Sequence, residues 1–180
     1  MRILKQVDGS VLWLLVDNAM AGRNLRQEAE RRGVNAERIV LAERVPLAEH
    51  LARQRLADLF LDTLPYNAHT TASDALWAGV PVLTCTGNAF AGRVAASLLT
   101  AVGLAELITS TPQAYEDLAV DLATHPVRLG EIRRSLAANR LTSPLFNTPL
   151  FVGHIEAAYT AMCERYWSGL LPDHIHVPRR

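Results

Sequence analysis

Lysine is almost missing from this chain. Of 18 basic residues only Lys5 is a lysine and the rest are arginine, so chemistry that needs an amine side chain has a single residue to use. Cysteine is equally scarce: Cys85 and Cys163 lie far apart in sequence, allow one pair and no disulfide framework, and are expected to be buried free thiols in a reducing compartment. Net charge is also lacking. The 18 acidic residues balance the basic ones and the pI is near 7.0, which removes any blanket attraction to nucleic acid or anionic membrane, because such binding needs a basic face that displaces counterions. The longest unbroken apolar run covers residues 11–16, far short of the ~18 that a membrane helix needs, and the chain does not open with a charged-then-apolar leader. These absences lead to the expectation of a soluble cytoplasmic protein with neither nucleic-acid nor membrane partners. At 180 residues and 49% hydrophobic, the chain has the size of one domain able to bury about 70% of its unfolded surface, which excludes a disordered tail or a collagen-like repeat.

Several signatures of known chemistry are missing as well. No G-x-G-x-x-G occurs, which weakens a dehydrogenase-like dinucleotide fold, and no G-x-S-x-G elbow supports a serine hydrolase. The six histidines form no H-E-x-x-H, the cysteines no C-x-x-C, and there is no D-x-D to hold a metal on a sugar nucleotide, so no metal site and no cofactor is expected. The run Gly87-Asn-Ala-Phe-Ala-Gly92-Arg93-Val94 looks superficially like a P-loop. Arg93 stands where the lysine would be and Val94 where the magnesium-binding hydroxyl would be, which excludes ATP or GTP hydrolysis and leaves a tight turn with room for a phosphate nearby.

What is present is an alternation of short apolar runs with longer segments of helical period, the pattern of a parallel sheet wrapped by crossover helices. Strands are expected at 10–16, 38–41, 59–61, 80–85 and, more weakly, 106–109. Helices are expected at 24–32, 46–56, 71–78 and 91–102, with Gly33, Gly79 and Gly103 at their ends. After residue 110 the strands cease and three helices follow, at 112–125, 127–140 and 149–168. Residues 1–7 have helical spacing but are too few to form a stable helix alone. The reading is an α/β domain, a Rossmann-like core over 1–110 with C-terminal helices over 111–180 packed on it.

In an open parallel sheet, ligands bind outside the carboxyl ends of the strands, and the loop after Leu61 is the richest such place. It carries Asp62, His69, Thr70, Thr71 and Asp74 into the start of a helix. Unpaired amides, the helix dipole and two hydroxyls there suit a phosphate or diphosphate, and Asp74 can accept hydrogen bonds from a ribose. The same Thr71-x-x-Asp74 spacing also suits a capping box that closes the helix with no ligand, and both readings stand at this level. His50 and Arg53, three apart, share a helix face that suits a base or phosphate as well as a solvated surface.

Ser10-Val-Leu-Trp-Leu-Leu15, Leu61-Asp-Thr63, Asn67-Ala-His-Thr-Thr71, Asp74-Ala-Leu-Trp-Ala-Gly79, Arg93-Val-Ala-Ala-Ser97, Tyr115-Glu-Asp117 and Ser143-Pro-Leu-Phe-Asn-Thr148 occur in that order. Together they make the chain similar, over nearly its whole length, to the C-terminal lobe of the O-linked N-acetylglucosamine transferases and their SPINDLY-like, tetratricopeptide-bearing relatives. The resemblance implies an inverting, metal-independent GT-B glycosyltransferase acting on protein Ser or Thr, in which this lobe holds a UDP-sugar, UDP-N-acetylglucosamine first. It further implies that His69, Thr70 and Thr71 bind the diphosphate and Asp74 the ribose, while His50 and Arg53 line the nucleotide side. The implied partners are the nucleotide-sugar, a protein acceptor, and the N-terminal lobe and tetratricopeptide region of a longer protein. Ala68 departs from the family's glycine before His-Thr-Thr, and Leu47 from the lysine of animal members. The family's essential lysine and acceptor-side histidines belong upstream of the segment present, and Lys5 does not match that lysine. Half an active site is therefore expected, with no catalytic residue in the chain and no transfer by the chain alone. Apolar residues on the last helices, Phe151 and Trp167 among them, lead to the expectation of self-association. The alternatives are a GDP-fucose-type donor lobe and a non-catalytic nucleotide-binding or assembly module.

Overall fold

A computed structural model describes residues 1–178. The elements run α1 (Arg2–Gln6), β1 (Leu12–Leu15), α2 (Ala19–Arg31), β2 (Ile39–Ala42), α3 (Leu47–Gln54), β3 (Phe60–Leu61), α4 (Thr70–Ala78), β4 (Val82–Cys85), α5 (Val94–Ala101), β5 (Ile108–Thr109), α6 (Pro112–Thr124), α7 (Pro126–Asn139) and α8 (Thr148–Trp167). Four of the five strands fall inside the expected segments and β2 runs one residue past its own, to Ala42; all pairings among them are parallel.

Hydrogen bonding divides the strands into two ladders where a single sheet was expected. β1 pairs β2 from Leu12↔Ile39 to Leu15↔Ala42, while β4 lies between β3 and β5. Burial explains the difference, because each ladder has its own apolar cluster. Every residue of β4 is buried, and Val82 joins Leu76, Leu99, Leu107, Leu122 and Leu136 in the main core, whereas Ile39 packs in a small cluster with Leu4, Ala29 and Val34. Leu15 and Val40 of the smaller ladder remain exposed. α6 and α7 deliver Leu122, Leu129, Ile132 and Leu136 to the core that the strands build.

Local chemistry places the helix ends. α2 begins at Ala19 rather than at residue 24, because the Asn18 side chain accepts hydrogen bonds from the amides of Met20 and Ala21 and starts the helix early. α6 begins as expected, with the Thr111 hydroxyl accepting from the Ala114 amide and Pro112 in the first turn. α4 ends at Gly79, whose φ of 87° is the left-handed conformation that a side chain disfavours. The segment too short to be a helix alone is one in the folded protein: α1 buries Leu4, and Arg2 and Gln6 both bond the buried Glu116 carboxylate of α6. Packing thus replaces the missing helical cooperativity.

Cys85 is buried in β4, but Cys163 is exposed on α8, contrary to the expectation that both are buried. The reason is that α8 buries none of its residues; Phe151, Tyr159, Met162 and Tyr166 form an exposed stripe at helical spacing. No helix among the described residues is long and apolar enough to cross a membrane.

Leu122 is fully buried, so Leu122→Ala is expected to cost about 2–5 kcal/mol in denaturant unfolding. Leu171→Ala, at an 81% exposed position, is expected to stay within about 0.5 kcal/mol.

Candidate functional site

The chain leaves β3 into a loop whose first residue, Asp62, is buried at 4% exposure. Its Oδ1 accepts the amides of Thr63 at 2.9 Å and Ala68 at 2.6 Å, and its Oδ2 accepts the Thr84 hydroxyl at 2.5 Å. Thr63 donates its hydroxyl to the Tyr66 carbonyl at 2.6 Å, and the Asn67 side-chain amide donates to the Thr63 carbonyl at 3.0 Å, so the loop is cross-braced from within. A second loop, after β4, is fastened to it by the Asn67 amide donating to the Ala91 carbonyl at 2.9 Å. This second loop is the one that looks like a P-loop. Its two glycines pack together, and a Cβ on Gly92 would come within 3.1 Å of the Pro65 carbonyl oxygen and 3.2 Å of the Gly87 Cα, so glycine is needed for the approach. Arg93 is exposed at the cap position of α5.

These two loops place the start of α4. His69 takes the cap position, and no side chain caps the helix. The capping box between Thr71 and Asp74 is not formed, because the cap position falls on His69, two residues earlier than that motif requires, and Thr71 sits inside the first turn. Ser73 is the first residue whose amide is paired, to the His69 carbonyl at 3.1 Å; among the described residues the amides of Thr70, Thr71 and Ala72 have no partner. The hydroxyls of the exposed Thr70 and Thr71 and the carboxylate of the half-buried Asp74 make no hydrogen bond among the described residues either. The His69 ring stacks on Tyr66 at 4.9 Å and 15° and meets the edge of Phe90 at 6.1 Å. Its Nε2 is buried without a hydrogen-bond partner, an uncommon and costly condition for a polar atom.

His50 and Arg53 lie on α3, which packs on α4, but neither bonds His69, Thr70, Thr71 or Asp74. Arg53 donates to the Glu43 carbonyl at 2.8 Å and lies over the Trp13 ring at 5.8 Å. Its second terminal nitrogen approaches His50 Nδ1 at 3.3 Å, and the Gln54 side-chain amide nitrogen lies 2.9 Å from His50 Nε2 on the other side of the ring. The pair is thus a braced structural unit, not a loosely solvated helix face. Lys5 is elsewhere: its Nζ lies 3.7 Å from where a Gly33 Cβ would be, over the C-terminal end of α2.

Sequence reasoning named the helix end but gave no role to Asp62, Thr84 or Tyr115, which hold it. Tyr115 on α6 donates its hydroxyl to the Asp62 carbonyl at 2.9 Å. Burial, with the Asp62 carboxylate and then the Cys85 thiol as lesser causes, pushes its phenol well above the ordinary tyrosine range. The motifs Leu61-Asp-Thr63 and Tyr115-Glu-Asp117 mark these positions, but nothing in their spacing shows that they meet.

A family description, glycosyl transferase family 41, matches residues 1–155. The chain belongs to this family. It is 40% identical over 176 residues to a probable UDP-N-acetylglucosamine–peptide N-acetylglucosaminyltransferase, SEC, of Arabidopsis thaliana, a match covering 97% of this chain and 18% of the relative. It is 37% identical over 174 residues to the UDP-N-acetylglucosamine–peptide N-acetylglucosaminyltransferase of Caenorhabditis elegans, covering 97% of this chain and 15% of that protein. Among solved structures, a K341M mutant of the Thermobaculum terrenum O-GlcNAc transferase superposes with a TM-score of 0.85 at 34% identity, over 89% of this chain and 32% of that one. The chain therefore spans less than a fifth of these curated relatives' length. Its α/β architecture is that of the C-terminal lobe of a GT-B glycosyltransferase in family 41.

Tyr115→Phe removes one hydrogen bond and is expected to cost about 1 kcal/mol in chemical unfolding at neutral pH. Because the folded state keeps the phenol protonated where the unfolded chain, near its ordinary 10.0, loses it, stability should be full below pH 10 and fall as pH rises beyond it. The phenylalanine variant should lack that alkaline decline.

Proposed function

We propose that this chain is the donor-binding lobe of a protein O-glycosyltransferase that uses a UDP-sugar, UDP-N-acetylglucosamine in the first place. The observation that carries the reading is the start of α4, where His69, whose Nε2 is buried without a partner, is followed by three residues with unpaired amides. A diphosphate there receives charge-assisted hydrogen bonds from those amides, from the Thr70 and Thr71 hydroxyls and from His69, with the helix dipole adding about 0.3–1 kcal/mol. Asp74 follows within the same turn and is suited to the ribose. His50 and Arg53, on the adjoining helix, are suited to line the nucleotide side, with their conformations already held by Glu43, Trp13 and Gln54. The names of the Arabidopsis and Caenorhabditis relatives support the donor and a peptide acceptor.

In the complete enzyme, a Ser or Thr hydroxyl of the acceptor displaces UDP directly at the anomeric carbon, with inversion. The departing diphosphate carries the growing negative charge, and donors already aimed at it stabilise the transition state electrostatically without a divalent metal. The lysine and histidines that complete this chemistry are expected in the preceding lobe. Lys5 lies over the end of α2 and does not substitute for them. The free thiols Cys85 and Cys163 suit a reducing, cytoplasmic setting. The exposed stripe on α8 is proposed to be covered in the assembled protein.

Calorimetric titration without divalent cations is expected to show saturable UDP binding in preference to GDP. His69→Ala should weaken binding about ten-fold or more and Asp74→Ala several-fold. A folded chain that binds neither nucleotide overturns the donor-lobe reading, and a GDP preference redirects it to a fucosyl-type donor. The chain alone is expected to show no transfer from UDP-N-acetylglucosamine to a peptide; measurable turnover would show that the site is complete. Self-association through α8 is expected in solution, and a strictly monomeric mass by sedimentation would count against it.

A further inference from the structure

The donor-site reading leaves unexplained a carboxylate buried at the root of the loop with no cation beside it. Asp62 is 4% exposed and has no salt-bridge partner among the described residues; it accepts three hydrogen bonds, from the Thr63 amide, the Ala68 amide and the Thr84 hydroxyl. Burying a carboxylate without a counter-ion is expensive, and a neutral core residue would cost less if stability were all that mattered. The two amides it holds are the two ends of the loop. Ala68 immediately precedes His69, so the bond to its amide sets where the chain turns into α4.

The brace continues behind Asp62. Thr84 is fully buried in β4, and its carbonyl accepts the Thr109 hydroxyl of β5 at 2.9 Å. On the other side, the carbonyl of Asp62 is held by Tyr115 from α6. Asp62 therefore links β4 and α6 to the amide that precedes the helix end.

We infer that Asp62 is a positioning residue for the donor diphosphate, holding the Ala68 amide so that His69 Nε2 and the free amides of Thr70, Thr71 and Ala72 converge on one anion. The inference rests on the proposed donor site and deepens it. Asp62 does not touch the anion: its accepting positions are turned to Thr63, Ala68 and Thr84, and its action is through the loop.

The test compares Asp62→Ala, Asp62→Asn and Thr84→Val in the full chain, by UDP titration and by amide hydrogen exchange at Ala68. Asp62→Ala should leave the protein folded, speed exchange at Ala68 and weaken UDP binding about ten-fold or more. Asparagine keeps an oxygen for the two amides and can donate to Thr84, so Asp62→Asn should recover most of the affinity. Thr84→Val removes only the hydroxyl and should weaken binding about three- to ten-fold; it decides the matter if Asp62→Ala does not fold. Faster exchange at Ala68 with unchanged UDP affinity would overturn the positioning role while leaving the donor site standing. Equal losses for Asp62→Asn and Asp62→Ala would also overturn it, since a general need for the charge would then explain both. Absence of UDP binding by the unmodified chain is the separate failure of the donor reading, and this inference falls with it.

Discussion

A carboxylate enclosed between a strand and a helix must find its hydrogen-bond donors in the protein around it, and the place where Asp62 finds them governs everything at the candidate site. Its bonds to Thr63 and Ala68 close the loop, and its bond to Thr84 fastens that loop to the most deeply buried strand. From there the Asn67–Ala91 bond draws in the second loop, whose Gly87 and Gly92 allow backbone to lie against backbone. The first turn of α4 is therefore presented by core contacts rather than by a cap of its own. An uncapped helix end is a liability in an ordinary surface helix, and at a site for an anionic ligand it is the binding device.

The charge balance of the chain fits this design. With no net charge, the chain has no overall field to gather an anion; the unpaired amides at the start of α4, with the helix dipole behind them, are a local source of positive potential. Such a site needs rigidity more than charge, since amides lose their value when they must be reoriented for each ligand. The aromatic contacts of His69 with Tyr66 and Phe90, and the bracing of His50 by Arg53 and Gln54, serve the same end.

The edges of the structure are of another character. α1 is supported by the Leu4 cluster and by its bonds to Glu116 of α6, and α8 buries none of its residues. The chain covers less than a fifth of the length of its curated relatives. The start of α4 is nevertheless held from within this chain, by Asp62, Thr84, Asn67 and Tyr115.

Much of this was legible in the residues alone. Alternating apolar runs located all five strands, glycines located helix ends, and the ordered motifs from Ser10 to Thr148 identified the family, because periodicity and local motifs are properties of neighbouring residues. The region of the site was legible for the same reason, as His69, Thr70, Thr71 and Asp74 fall within six residues of one another. Whether that helix end was capped or open was not, since the answer depended on the cap position falling on His69, two residues before Thr71. The division of the strands into two ladders, the survival of α1 and the bond from Tyr115 to Asp62 were likewise invisible. Each joins segments far apart in the chain, so its energy exists only when the fold has brought both sides together. Sequence determined what the elements are and which chemistry lies at the head of α4; tertiary structure decided that its donors are free, because only the packed core could hold an uncapped helix end in place.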